Sequence, residues 1–399
     1  MSETTQPQAV IVAGARTAIG TSFKGTLRHT TAMELAQLVV TEVRARSGLD
    51  VADFDDLILA ESNYGGGDVA RHAAVAGGMH QVPGQAVNRH CAGALTAIGN
   101  GAAAIIAGAC RAVIAGGVQS QSTAPVQRFR VPGTSDAFEE QWMSPTHPDS
   151  SDAPNRDMSI TVGWNTAKEA GITREEMDAW ALRSHRRAIA AIDAGVFDEE
   201  IVPVKALQED GSHVDFAVDE HPRRDTDPQR LAGLKVLHPE IEGFSITPGN
   251  ASGINDAAAA VALVSTELAA ERRLRPLATV RAWAAAATDP VRTGLAVLDV
   301  IPKVLDRTGL EVGDIALWEI NEAFASVPIA ACKLLGIDEE LVNVHGSGCS
   351  LGHPVAATGA RMVITLMNEL RRRGGGYGVA AMCAGGGQAG AVLIEVPAA

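Results

Sequence analysis

Short unbroken apolar runs alternate along this chain with longer segments whose apolar residues recur at helical spacing. Ala9-Val10-Ile11-Val12-Ala13-Gly14 carries no charge and predicts a buried strand. Residues 31–47 predict a helix, with Thr30 or Thr31 as cap and Leu35, Leu38, Val39 and Val43 on one face. A strand follows around Leu57-Ile58-Leu59. After Cys91 comes a run of small residues (Thr96, Ala97, Gly99, Ala102, Ala103, Ala104) with neither charge nor Pro, which predicts a buried helix. Ala112-Val113-Ile114-Ala115 reads as a strand ending in Gly116-Gly117. This alternation predicts an α/β fold with a largely parallel sheet and helices packed on it.

The same order returns later in the chain. Ala278-Thr279-Val280-Arg281-Ala282-Trp283 reads as a strand, and a helix follows from about Leu295 to Arg307. Gly309-Leu310-Glu311-Val312-Gly313-Asp314 then nearly copies Gly48-Leu49-Asp50-Val51-Ala52-Asp53, and the strand Ile315 to Ile320 matches the one at Leu57. A small-residue helix is expected from Val355, then a strand from Gly378 to Met382 running into Cys383. The repetition reads as an internal duplication of one βαβ-type unit. Between the copies the pattern breaks. Residues 120–157 hold many Pro, Ser, Gln and Asp and read as a long surface excursion. A charged amphipathic helix is expected from about Arg174 to Ala194. The polar segment 208–240 brings Arg223, Arg224 and Arg230 close together in sequence.

Composition narrows the function. The 399 residues are 46% hydrophobic and 20% charged, which fits a globular protein large enough for a duplicated core. A net charge of −14 argues against nucleic acid or an anionic membrane surface as the main partner. No stretch reads as a membrane span. The five Cys form no CxxC pair, which fits a reducing compartment rather than a disulfide framework. The polar start, Met1 to Pro7, lacks the basic and apolar regions of a signal peptide, so a cytoplasmic protein is expected.

Chemistry is expected at four short stretches near strand ends and loop tips. Cys91 is expected in the first turn of its helix, where free N–H groups and the helix dipole favour the thiolate and lower the pKa. Asn321-Glu322-Ala323-Phe324 follows a buried strand. In Gly346-Ser347-Gly348-Cys349-Ser350-Leu351-Gly352-His353-Pro354, Pro354 favours a helix start directly after His353. Cys383-Ala384-Gly385-Gly386-Gly387 ends the last of the matched strands. The duplication sets His353 in the second copy where Cys91 stands in the first. A Cys with a His makes a nucleophile and its base. A second Cys adds a proton carrier, and Asn with glycine N–H groups holds an oxyanion. His90 and Cys349 adjoin these motifs and read as packing residues.

With these motifs the sequence resembles the thiolases over nearly its whole length. The resemblance also includes Ala15-Arg16-Thr17-Ala18-Ile19-Gly20 and Gly249-Asn250-Ala251-Ser252-Gly253-Ile254-Asn255-Asp256. It implies a duplicated core in five α-β-α-β-α layers with an inserted loop domain. The expected division is residues 1–118 as the first part of the N-terminal core half, 119–250 as the loop domain and the return from it, 251–275 as the end of that half, and 276–399 as the C-terminal core half. It implies acyl transfer on coenzyme A thioesters: cleavage of 3-ketoacyl-CoA, as in β-oxidation, or the reverse condensation of acetyl-CoA. Coenzyme A is then a co-substrate, with no permanently bound cofactor and no metal. Carried over by position, Cys91 is acylated, His353 activates it, and Cys383 moves the proton at C2. Asn321 holds a water that, with His353, polarises one thioester oxygen, and the N–H groups of Cys91 and Gly385 stabilise the other oxyanion. Arg223 meets the adenosine 3′-phosphate, Ser252 the pantetheine arm, and Met158, Ala323 and Phe324 line the same binding path. A homodimer or homotetramer is expected.

The sequence departs from the usual thiolase pattern at Cys91-Ala92-Gly93-Ala94, at His345 to Cys349, and at Met158 to Gly163, and the aromatic residue expected near His238 is missing. None of these removes a catalytic group. The alternatives are a ketoacyl-synthase-like condensing enzyme, which leaves Cys383 and its glycines unused, and a non-catalytic acyl-CoA or lipid carrier on the same core.

Overall fold

A computed structural model describes residues 8–398 apart from Gly65 and Trp142; Met1 to Pro7, on which the expectation of no signal peptide rests, lies outside them. The first core half runs β1 (Ala9–Arg16), β2 (Gly20–Thr21), α1 (Ala32–Ser47), β3 (Asp56–Ala60), α2 (Asp68–Ala76), β4 (Gly84–Val87), α3 (Gly93–Ile106) and β5 (Ala112–Gln119). An excursion follows with the exposed hairpin β6 (Gln127–Arg130) and β7 (Phe138–Gln141), then α4 (Asn165–Glu169), α5 (Arg174–Asp193), the hairpin β8 (Val204–Leu207) and β9 (His213–Phe216), and α6 (Pro228–Ala232). The chain returns through β10 (Asn255–Ser265) and α7 (Thr266–Arg272). The second half holds β11 (Ala278–Ala287), α8 (Val297–Asp306), β12 (Ile315–Ile320), α9 (Ser326–Leu335), α10 (Thr358–Arg372), β13 (Gly376–Ala384) and β14 (Gln388–Val396).

The duplication is written in the topology. The main sheet runs β12-β13-β14-β11-β1-β10-β5-β3-β4. Counted outward from the β1–β11 join, one side reads β1-β10-β5-β3 and the other β11-β14-β13-β12, which is the same unit twice. The place of β4 is taken in the second copy by an isolated bridge between Val342 and Trp318. The two near-identical hexapeptides fold alike: Gly48 and Gly309 both have φ +68°, and the 3-10 turns Val51–Asp53 and Val312–Asp314 each carry a reciprocal acidic cap.

The expected largely parallel sheet is corrected. Five of the eight joins along this path are antiparallel, and only β3–β4, β3–β5 and β12–β13 are parallel. A parallel neighbour needs a crossover, supplied for these pairs by α2, by α3 and by α9 with α10. Strands β13 and β14 are separated by Gly385-Gly386-Gly387 alone and can only turn back on each other.

Burial divides the helices into layers. Helices α1 and α2 cover the outer face of the first sheet half through Leu35, Val39, Val43 and Ala73. Helices α3 and α10 lie between the halves, where Ile98 and Ala102 share a core with Met362, Val363 and Leu366. Helices α8 and α9 cover the far face through Val300, Val304, Val327 and Ala331. The result is five layers, α-β-α-β-α, with the small side chains of α3 letting it pack inside. Thr31 caps α1 as expected, with Glu34 closing the capping box. Among the described residues no helix is long and apolar enough to cross a membrane.

Candidate active site

Cys91 lies just outside α3 rather than in its first turn. The α3 N-cap is Ala92, and the Ala92 and Gly93 N–H groups are already donated to the Arg89 and His90 carbonyls, both at 3.0 Å. The helix therefore has few free donors to offer the thiol. His90 adopts φ +44°, rare for a residue with a side chain, and this tight turn presents Cys91. The expectation of a lowered pKa is overturned. Burial pushes the Cys91 thiol up to about 11, against the weaker pull of its own N–H and that of Gly385. Cys91 is a thiol at neutral pH and needs a base.

His353 lines the same cavity as Cys91 and is the neutral group there that can take a proton. Burial, with a smaller push from the Arg361 cation, lowers its pKa to about 3, so the imidazole is neutral. The expected helix start directly after it is also corrected: α10 begins only at Thr358, because the Pro354 carbonyl first closes a turn by accepting the Ala357 and Thr358 N–H groups, each at 2.9 Å. That turn delivers the Thr358 hydroxyl to His353 Nδ1 at 2.7 Å. The same hydroxyl donates to the Pro354 carbonyl at 2.9 Å. Its one proton is thus spent, so Nδ1 carries the imidazole proton and Nε2 holds the free lone pair. The His353 backbone N–H donates to Asn255 Oδ1 at 3.0 Å, and Asn255 Nδ2 to the Gly20 carbonyl at 3.0 Å.

Asn321, at the end of β12, sets its amide nitrogen 3.4 Å from both His353 ring nitrogens, while its Oδ1 is buried without a partner among the described residues. A buried orphan acceptor fits a group meant to hold water or substrate. Cys383, near the end of β13, is buried, and burial together with Cys91 raises its thiol well above the ordinary range. Cys349 packs as expected, its thiol pointing to the Glu322 carbonyl at 3.6 Å. His90 lies over Gly385, where a Cβ would meet its ring at 3.6 Å.

One cavity of ≈ 310 Å³ is lined by Cys91, His353, Cys383 and Gly385, and also by Ser252, Met158, Ala323 and Phe324. Asn321 stands behind His353 rather than on the wall. Arg223 does not line it. It lines a neighbouring cavity of ≈ 460 Å³ with His185, His221 and Arg230. The segment 248–253 separates the two, with Pro248 and Gly249 on one cavity and Ser252 and Gly253 on the other. Of the three arginines expected together, Arg224 pairs with Asp193 and Arg230 with Asp225, leaving the Arg223 side chain without an ion pair among the described residues. The missing aromatic near His238 is supplied by the fold: Phe244 packs edge-on against it at 5.0 Å, and Trp164 lies 5.5 Å from Phe244.

Sequence reasoning missed several residues here. Thr358 and Asn255 hold His353, and the spacing of Thr358 to His353 was the only available signal for it. Gln119, Gln121 and Arg156 line the cavity with no motif to announce them.

The chain matches the family models for the thiolase N-terminal domain over residues 9–267 and the thiolase C-terminal domain over residues 274–396. It is 40% identical to the beta-ketothiolase BktB of Cupriavidus necator, covering 97% of this chain and 99% of that one. It is 36% identical to the 3-ketoacyl-CoA thiolase of Bacillus subtilis, covering 98% and 99%. The crystal structure of the Bacillus anthracis acetyl-CoA acetyltransferase is similar with a TM-score of 0.89 at 38% identity, covering 98% of this chain and 99% of that one.

Proposed function

The chain belongs to the thiolase family, and from that premise we propose that Cys91, His353, Cys383, Asn321 and Gly385 carry its chemistry. The activity is that of a thiolase, an acyltransferase. Coenzyme A and a 3-ketoacyl-CoA give acetyl-CoA and a shortened acyl-CoA, or the reverse condensation runs. One observation carries the assignment of roles: both cysteines, the neutral imidazole and the Gly385 backbone share one cavity.

In cleavage, the Cys91 sulfur attacks the 3-keto carbonyl as His353 Nε2 takes its proton. The N–H groups of Cys91 and Gly385 stabilise the resulting oxyanion. Breaking the C2–C3 bond leaves acyl-Cys91 and an enolate of acetyl-CoA. Cys383 gives the enolate its proton at C2, while Asn321, through a water, and His353 stabilise the enolate oxygen. His353 then passes the Cys91 proton to the Cys383 thiolate, takes the thiol proton of coenzyme A as its sulfur attacks acyl-Cys91, and returns that proton to the leaving Cys91 sulfur. A Cys383 thiol with a raised pKa suits proton donation to carbon. Arg223 is assigned to the adenosine 3′-phosphate, and Ser252, Met158, Ala323 and Phe324 to the pantetheine arm. The enzyme works as a cytoplasmic homodimer or homotetramer with no resident cofactor.

Incubation with acetyl-CoA followed by mass spectrometry tests the assignment. An acetyl group on the Cys91 peptide, absent in Cys91→Ser, is expected. An unmodified wild-type enzyme would instead support a carrier. Light scattering that reports a monomer at micromolar concentration would overturn the oligomer.

A further inference from the structure

The cavity that holds Cys91 also carries three polar side chains for which acyl transfer itself has no use: Gln119, Gln121 and Arg156. Two of them form a directed chain. The Ser62 hydroxyl donates to Gln119 Oε1 at 2.7 Å, and Gln119 Nε2 donates to Gln121 Oε1 at 3.1 Å. Asn63 Nδ2 adds a second donor to the same Gln121 oxygen at 3.4 Å. With its oxygen occupied from two sides, Gln121 has only its NH2 group to offer, and that group meets no acceptor among the described residues.

The exposed Arg156 lines the same cavity, and its side chain makes no hydrogen bond or ion pair among the described residues. Its acidic neighbours have other partners as well, and Asn155 does more than the Arg156 charge to hold the Asp149 carboxylate low. Asp149 accepts from the Asn155 backbone and side chain at 2.7 and 3.2 Å. Asp157 accepts from Ser159 and faces His238 at 2.8 Å. Both line a surface cleft that Glu139 and Arg156 itself also line. No Asp or Glu lines the Cys91 cavity. Arg156 therefore stands between an acidic surface cleft and the Cys91 cavity, and with the free Gln121 NH2 it can receive a carboxylate in the latter.

We propose that the substrate brings that carboxylate: the preferred substrates are short 3-ketoacyl-CoA thioesters whose acyl chain ends in a carboxylate, held by Arg156 and Gln121. This rests on the thiolase reading of Cys91 and names the substrate class of that site. The rival source of anionic oxygens is coenzyme A itself. Its 3′-phosphate is assigned above to Arg223 in the neighbouring cavity, and the test below separates its diphosphate from the acyl end as the partner of Arg156.

The test is CoA-dependent cleavage of 3-oxohexanedioyl-CoA against 3-oxohexanoyl-CoA by the wild-type enzyme and by Arg156→Ala, Arg156→Lys and Gln121→Glu. Wild type should favour the carboxylated thioester by about tenfold or more in kcat/KM. Arg156→Ala should cost that substrate roughly 10- to 100-fold, the typical worth of a hydrogen-bonded charge, and the neutral one about threefold or less. Arg156→Lys should fall between, and Gln121→Glu should penalise the carboxylated substrate alone. A wild-type preference for the neutral chain overturns the proposal. So does an equal loss on both substrates in Arg156→Ala with a raised KM for coenzyme A, which would assign Arg156 to the phosphates. Cleavage of neither substrate, with no acetyl-Cys91 from acetyl-CoA, would overturn the thiolase reading and this proposal together.

Discussion

The hydroxyl of Thr358 decides which nitrogen of His353 carries the proton. Because that hydroxyl donates to the Pro354 carbonyl, its oxygen can only accept from Nδ1, and Nε2 keeps the lone pair that the proposed base role needs. Thr358→Val keeps the shape and removes the acceptor. The imidazole then samples the wrong tautomer, and kcat for cleavage should fall by roughly 10- to 100-fold, a part of what a general base contributes. KM should move little, and Thr358→Ser should restore the rate. Steady-state kinetics on the three forms check this; a failure of the Ser variant to rescue would make Thr358 a packing residue only.

The two opposed pKa displacements predict the pH profile of acylation. His353, lowered to about 3, is an unprotonated base above that value, and Cys91, raised to about 11, remains a thiol below it. Neither changes state near neutrality, so kcat/KM for acetyl transfer from acetyl-CoA should be flat from about pH 5 to about pH 9. Alkylation of the free enzyme by iodoacetamide should keep rising with pH through that range, since it follows the thiolate. A sigmoid in alkylation centred near pH 7 would restore the lowered pKa that the sequence suggested.

Removing Cys383 should separate two steps. Cys383→Ala leaves Cys91, His353 and the Gly385 N–H in place, so acetyl transfer onto Cys91 should persist. Deuterium wash-in at C2 of acetyl-CoA, and cleavage or formation of the C–C bond, should fall by about 100-fold or more. Equal loss of acylation and exchange would make Cys383 a structural partner of Cys91.

The glycines after Cys383 are unequal. Gly387 has φ +74°, its N–H donates to Thr293 Oγ1 at 3.0 Å, and an added Cβ would run into the Thr288 carbonyl oxygen. Gly387→Ala should cost about 2–4 kcal/mol of stability, from the left-handed backbone and the clash. At Gly385 a Cβ would meet only the His90 ring at ordinary contact distance, so Gly385→Ala should stay within about 1 kcal/mol of wild type. Urea denaturation of both variants compares them directly.

The elements were legible in the sequence because their causes are local. Apolar runs give β1, β5 and β13, Thr31 with Glu34 starts α1, and the paired hexapeptides around Gly48 and Gly309 announce the duplication. The stretches proposed as catalytic stood out in the sequence because Cys and His are scarce, five and eleven in the chain, and suited to few chemistries. What tertiary structure alone decided depends on neighbours distant in the chain. Strand direction follows from which strands meet, so the antiparallel centre of the sheet could not be read from alternation. The pKa of Cys91 is set by burial, with its nearest helix N–H groups already bonded to Arg89 and His90, so the local dipole argument failed. The orientation of His353 depends on a Thr358 hydroxyl delivered by a turn, and the chemistry of the cavity wall on Gln121 and Arg156, 35 residues apart, lining one cavity with Cys91.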